Sequence, residues 1–264
     1  MTEFEKPPSP RSGAITATRS EFEEVYAACV LDRTFVEDTN YYYASKTRFW
    51  LAFQHIADIG LPPGAVVVDI GGGIMGVLLS RLLKFDVIVA DVNDRAREDI
   101  EKLGLRFAII DLFRDGPPPA TDVDLVVLQE VIEHIPQPPY LVMRRIAGML
   151  KQGGRLFLTT PNGHRFRNLV YMALGKEILG IYRYPEQGKA LGHQHEYTRK
   201  QMLWQSKRAG FVVERADYVQ DGWTGSSLKA RVAWLLSRPI GLIGYMRNSL
   251  FLTLRLGPTA QKPD

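Results

Sequence analysis

The chain has 264 residues, 45% of them hydrophobic and 23% charged, with a formal net charge of +4, which fits one sizeable globular domain with additions, or two small ones, around an ordinary core. Cys29 is the single cysteine, which excludes an internal disulfide framework or a multi-cysteine zinc site and favours a reducing, cytoplasmic setting. No run of about eighteen apolar residues is uninterrupted, which argues against a membrane-spanning helix, and the mild basic charge permits an anionic partner without demanding one.

Residues 1–16 mix acids, prolines and glycine without an apolar core and predict a disordered leader, not a signal peptide. Residues 17–61 predict an N-terminal helical cap, with helices over 19–30 and 45–59; the second carries Phe49, Ala52, Phe53 and Ile56 at helical spacing. From 62 to 257 the pattern alternates. Strands are expected at Val66–Asp69, Val87–Asp91, Phe107–Asp111, Leu125–Gln129 and Arg155–Thr160, with helices over Ile74–Leu83 and 140–150 and a turn at "KQGG". Thr198 and Gln201 form a capping-box pattern for a helix ending near Gly210, and Val212–Val219 and Ser249–Leu256 read as two late strands. Short apolar strands alternating with helices predict an α/β fold, a doubly wound, mostly parallel seven-stranded sheet covered on both faces. Two apolar segments dotted with Arg and Lys, 164–193 and 224–247, exceed ordinary connections and read as helical insertions on the substrate or membrane side. Residues 258–264 are a short tail.

The most informative stretch is "VVVDIGGGIMG", residues 66–76. Gly71, Gly73 and Gly76 spell the G-x-G-x-x-G pattern that cradles a dinucleotide pyrophosphate at a strand-to-helix turn. Asp69 would place a carboxylate beside those phosphates, the wrong charge, whereas S-adenosylmethionine sets a sulfonium and an ammonium against one carboxylate. Gly72 and Gly76 are equally readable as residues that only permit tight packing. Asp91, which ends the second strand, suits both ribose hydroxyls, a feature that dinucleotide folds share. Asp111 ends the third strand, where an adenine amino group would be accepted while Leu112 packs on the ring. The fourth strand ends in "LQEVIEHIP", bringing Gln129, Glu130, Glu133 and His134 to the same edge.

"VVVDIGGG", "VIVAD", "AIID", "DLVVLQEVIEHIP" and "LKQGGRLFLTTPN" follow in the order and spacing of the class I S-adenosylmethionine-dependent methyltransferases. They resemble most the branch with ubiquinone-biosynthesis and related small-molecule O-methyltransferases, over roughly residues 62–220, and "HEYTRKQMLWQSKRAGF" is similar to its late helix. The resemblance implies a cofactor, S-adenosyl-L-methionine, held by Asp69, Gly71, Gly73, Asp91, Val92, Asp111, Leu112, Gln129 and Glu130. One departure is that the family's third alternate glycine falls at Met75, with Gly76 one position later.

Methyl transfer from a sulfonium is an in-line displacement, so the protein aligns the nucleophile, excludes water and, for a hydroxyl, removes a proton. His134, after the fourth strand, is the first candidate base and His195, in "GHQHEY", the second; His55 reads as structural. His193, His195 and Glu196 show no further ligand cluster, so no metal is expected. "QPPY" (137–140) mimics a base-gripping tetrapeptide of amino-methylating DNA enzymes but lies eight positions too late, and no basic aromatic stripe accompanies it, so nucleic acid is not expected. One of Tyr41, Tyr42 and Tyr43 closes the site, or all three pack the N-terminal helices.

The acceptor expected is a small molecule or a lipid-linked saccharide or isoprenoid. The insertions suggest peripheral contact with an anionic membrane, through Lys229, Arg231 and Arg238 beside Leu228, Val232, Leu235 and Leu236, and through Arg165, Arg167, Lys176 and Arg183 around Leu169, Met172, Leu174, Ile178 and Leu179; the alternative is that they are substrate lids with solvated charges. Two rivals remain at this level: a peripheral membrane-binding module with a vestigial cofactor fold, and an NAD-dependent oxidoreductase.

Overall fold

A computed structural model describes residues 17–31, 39–114, 116–179, 192–221 and 243–258. The leader, Arg183, most of the second insertion with its expected Lys229, Arg231 and Arg238 face, and all but the first residue of the tail lie outside them.

Helix α1 (Arg19–Tyr26), capped by Thr18 and Glu21, runs into a π-turn (Ala27–Leu31). Helix α2 (Thr39–Ala57) starts earlier than its apolar spacing implies, so Tyr41–Tyr43 lie within its first turns. Then follow β1 (Val66–Ile70), α3 (Ile74–Leu83), β2 (Asp86–Asp91), α4 (Arg97–Lys102), β3 (Arg106–Ile109) and β4 (Val123–Gln129). A 3-10 turn (Ile132–His134) leads into α5 (Pro139–Met149), β5 (Leu150–Pro161), α6 (Phe166–Ala173), α7 (Arg199–Arg208), β6 (Phe211–Val219) and β7 (Ser249–Leu256). The Thr198–Gln201 capping box forms as read. "KQGG" lies inside β5 as an irregularity: β4 pairs with Leu150 and next with Arg155, across a register shift between Val123 and Leu125, and Gly153 takes a positive φ of 74° in between.

The seven strands form one sheet in the order β3-β2-β1-β4-β5-β7-β6, parallel except where β7 runs antiparallel to both neighbours. The doubly wound α/β expectation holds. Alternate strand residues feed two cores. Val67, Val89, Leu125, Val127 and Phe157 pack with Phe22, Tyr26, Phe53 and Ile56 of the N-terminal helices and with α3. Val68, Ile88, Val126, Leu128 and Leu156 pack with Val142, Ile146 and Met202 of α5 and α7. A sheet buried on both faces explains why its strands read as runs of branched apolar residues, and it brings the carboxyl ends of β1, β2 and β4 to one edge, with Ile70 in register with Ala90 and Leu128.

Candidate active site

The turn after β1 is a backbone cradle. Gly71, Gly72 and Gly73 have φ of 99°, 82° and 80°, a region that side chains rarely adopt. A Cβ on Gly71 would stand 2.5 Å from Val131 Cγ2, and one on Gly73 would stand 2.7 Å from Val89 Cγ1. Gly73 caps α3 without a side-chain acceptor, so the positive end of that helix faces the turn. Gly76 serves packing: its Cβ would meet Val87, Asp69 and Val89 at 3.0–3.1 Å. Its N–H donates to Asp69 Oδ2 at 2.6 Å. Asp69 is buried, and burial pushes its carboxyl up to about 7, against the Gly76 hydrogen bond and with the charge of Asp91 adding to the rise.

Asp91 Oδ2 accepts the Gly72 N–H at 3.0 Å, tying the turn to the end of β2, and Oδ1 accepts from Asn93. The next residue, Val92, is 62% exposed. Asp111 lies two residues beyond β3 and is held by the Phe113 N–H at 2.8 Å. Leu112 is packed in the core, with its carbonyl accepting from Arg145, while Phe113 presents exposed apolar surface beside Asp111. Gln129, at the end of β4, keeps its Nε2 buried and without a partner. Bare glycine backbone, carboxylates at two strand ends, exposed Val92 and an unpaired buried amide suit a cationic, nucleoside-bearing ligand.

The other side of the site is side-chain chemistry. Glu130 has φ of 53°, a strained backbone that persists where surroundings enforce it. Its N–H donates to Thr159 O, and its carboxylate accepts from Thr159 Oγ1 at 2.9 Å and Arg48 Nη1 at 3.3 Å. Burial works against the charge of Arg48, but Glu130, Tyr41 and Asp221 outweigh it and hold the guanidinium protonated. Arg48 also bonds Tyr41. Tyr42 is fully buried and Tyr43 exposed, so of the three tyrosines Tyr41 is the one tied to the site. The sequence signal for Arg48 was an arginine four residues before Ala52 on an apolar stripe.

Glu133 is fully buried; Thr160 Oγ1 donates to its Oε2 at 3.1 Å, while Oε1 has no partner. Burial, and then the charge of Glu130, push its carboxyl well above the ordinary range. Its carbonyl accepts the Gln194 N–H at 2.7 Å, which pulls residues 192–197 over the end of β4. His134 meets His193, not His195, with perpendicular rings 4.7 Å apart. Glu133, His134 and His193 bring one ligand atom each within 4.8 Å of one another, a grouping of metal-ligating types different from the His193, His195 and Glu196 set considered in the sequence. His195 instead lies against Tyr197, the rings tilted by 53° with centroids 4.6 Å apart. Glu196 accepts from Arg165, from Arg167 at 3.4 Å and from Asn168 Nδ2 at 2.7 Å, and its Oε1 lies 3.5 Å from His193 Nδ1. Burial raises the Glu196 carboxyl, but those donors together hold it below its ordinary value. Arg165 and Arg167 are therefore committed to a buried carboxylate, not available to headgroups as the sequence implied. His55 bonds Leu51 O and Asp217 between α2 and β6.

Residues 36–216 match the family described as a methyltransferase domain. A ubiquinone biosynthesis O-methyltransferase of Coxiella burnetii is 30% identical over 127 residues, 44% of this chain and 51% of that protein, so the chain spans about half the length of the curated relatives it matches. Among solved structures, the complex between the Haloferax volcanii Trm112 methyltransferase activator and a putative methyltransferase aligns with a TM-score of 0.57 at 17% identity, covering 91% of this chain and 100% of that one. The N-methyltransferase NodS of Bradyrhizobium japonicum, solved with S-adenosyl-L-homocysteine, aligns with a TM-score of 0.52 at 14% identity over 89% of this chain and 98% of that one.

Proposed function

We propose that this chain, which belongs to the methyltransferase domain family and takes S-adenosylmethionine as its cofactor, methylates a hydroxyl oxygen of a small-molecule or lipid-linked acceptor. Family membership sets aside the oxidoreductase, and the presence of Asp69, Asp91 and Asp111 argues against a vestigial module. The observation that carries the choice of oxygen is His134, four residues after strained Glu130 at the end of β4 and with its ring against His193; the partial likeness to an O-methyltransferase supports it.

Asp69, Gly71, Gly73, Asp91, Val92, Asp111, Gln129 and Glu130 would hold the cofactor, which when bound supplies a methyl group activated on a sulfonium. Asp91 accepts the ribose hydroxyls and Asp111 the adenine amino group, with Val92 and Phe113 as apolar walls in place of Leu112. The Arg48–Glu130 pair, anchored by Thr159, fixes the backbone that presents His134. His134 accepts the acceptor hydroxyl proton, and the Glu133 carbonyl keeps the 192–197 segment closed over it. His134→Ala should lower methylation roughly 10²-fold with S-adenosylhomocysteine affinity and melting temperature unchanged; full activity removes it from the mechanism.

A second reading is favoured by the unpaired, buried Oε1 of Glu133 facing His134 at 4.0 Å. With a divalent cation on Glu133, His134 and His193, the metal would ionise the hydroxyl and His134 would be a ligand. Exhaustive chelation separates the two: activity persists on the first reading, and is lost and restored by added cation on the second.

The lipid-linked option draws on α6. Its one buried residue is Asn168, while Met172 and Leu174 are 52% and 63% exposed and Lys176 lies beyond them. Among the described residues no helix is long and apolar enough to cross a membrane, so contact would be peripheral. Co-sedimentation with anionic vesicles that falls when Met172 and Leu174 become Ser is expected; a protein that stays in the supernatant with every lipid composition leaves α6 as a substrate lid.

A further inference from the structure

Beside the His134 turn, on the α5–α7 face of the sheet, lies a cavity of about 420 Å³ walled by the Ile135–Pro139 loop, by Gln194, His195 and Tyr197, and by the first turns of α7. It shares the anchor of the candidate active site, since the Glu133 carbonyl accepts the N–H groups of both Gln194 and His195.

Its chemistry is distinctive in two respects. None of its lining residues is an Asp, Glu, Lys or Arg, and His195 is its one side chain able to carry a positive charge, so no permanent charge there matches a phosphate, a carboxylate or an ammonium. It also carries four glutamines, each oriented by one hydrogen bond to backbone. Gln201 Oε1 accepts the Thr198 N–H and Gln205 Oε1 accepts the Tyr140 N–H, which leaves their NH₂ groups as donors. Gln137 Nε2 donates to Phe113 O and Gln194 Nε2 to Gly192 O, which leaves their oxygens as acceptors. Gln137 Oε1 is buried and has no partner. Fixed donors and fixed acceptors, with proline rings between them, complement vicinal hydroxyls, each of which both donates and accepts, and the C–H faces that a sugar ring presents.

We propose that this groove is a saccharide subsite that binds a neutral, polyhydroxylated ring of the acceptor next to His134. The proposal deepens the reading of the chain as a hydroxyl methyltransferase and rests on it. Four pre-oriented amides with no counter-charge select against phosphorylated or uronic sugars, because either would bring an unmatched charge into a neutral groove.

Saturation-transfer NMR on the full chain, with and without S-adenosylhomocysteine, tests it with methyl glycosides of glucose, galactose, mannose and rhamnose at millimolar concentration. At least one should receive saturation, glucuronate should receive none, and Gln137→Leu or Gln194→Leu should weaken binding ten-fold or more while S-adenosylhomocysteine affinity stays as in the wild type. Gln194→Leu guards against a folding defect in Gln137→Leu, since the Gln194 side chain bonds only Gly192 of its own loop and the backbone N–H bond to Glu133 O is kept. No transfer to any neutral glycoside, transfer that survives both substitutions, or binding of an uncharged proline-rich peptide in place of sugars would each overturn the proposal. S-adenosylhomocysteine binding without sugar binding overturns the groove alone and leaves the methyltransferase reading standing; failure of S-adenosylhomocysteine to bind strikes that reading instead.

Discussion

Between Asp69 and Asp111 the groups proposed to bind the cofactor come from three consecutive strand ends and one glycine turn, and their partners are backbone N–H groups: Gly76 to Asp69, Gly72 to Asp91, Phe113 to Asp111. On the acceptor side, Arg48, Glu130, His134, His193 and Glu196 are drawn from stretches far apart in the chain and hold one another by side chain. The first arrangement is rigid because local backbone dictates it. The second is rigid only if every long-range partner is in place. The cofactor end should therefore tolerate loss of acceptor-side residues, while the acceptor side should fail through partners that never touch the substrate.

The largest effect expected is at the turn itself. Gly71→Ala combines a φ of 99° with a Cβ 2.5 Å from Val131 Cγ2, so left-handed strain and overpacking add to about 2–4 kcal/mol of lost stability. Urea unfolding should show that loss, together with weaker S-adenosylhomocysteine binding. A variant as stable as the wild type would mean that the turn is softer than its geometry implies.

Next come two substitutions that pit one end against the other. Asp91→Ala should weaken S-adenosylhomocysteine binding by about 1.5–3 kcal/mol in calorimetry, the range for hydrogen bonds to a charged group. Glu196→Gln should leave that affinity alone yet lower the methylation rate, because it removes the charge that holds Arg165, Arg167 and His193 in place. If Glu196→Gln impairs cofactor binding as much as Asp91→Ala does, the two ends are one unit and the contrast drawn above fails.

The same contrast explains what sequence could and could not reveal. Asp69, the three glycines and Asp91 sit at fixed offsets from apolar runs, so local pattern was enough to place them, and β7 was placed to the residue. Arg48 and Glu130 are 82 positions apart, and Asn168 and Glu196 are 28; no periodicity encodes such a meeting. His195 is the second candidate base in the sequence, and in a strand it would share a face with His193, two residues away; the bend at Gln194, where the N–H groups of Gln194 and His195 both donate to Glu133 O, parts the two rings, so that His193 meets His134 and His195 meets Tyr197. The exposures of Leu112 and Phe113 are hidden for a related reason: the Asp111 carboxylate accepts the Phe113 N–H just after β3, and Leu112 faces the core while Phe113 faces outward.

The smallest effect is the most specific to the cofactor end. Burial raises the Asp69 carboxyl from 3.8 to about 7, so near neutral pH it is only partly ionised. A ligand with a sulfonium and an ammonium prefers the ionised form, and binding should therefore tighten as pH rises from about 6 to about 8. A differential interaction of about 1 kcal/mol, modest for charges near a protein surface, gives roughly a five-fold change. Without ligand the sign reverses for stability. A carboxyl whose folded value is raised stabilises the fold fully below about 4, and that contribution is lost as pH climbs through about 7. Asp69→Asn keeps an oxygen for the Gly76 N–H but cannot ionise. It should bind S-adenosylmethionine more weakly at pH 8, flatten the affinity profile between 6 and 8, and show a flatter melting temperature over the same range. An affinity that is independent of pH in the wild type would mean that Asp69 holds the turn without sensing the charge of the ligand.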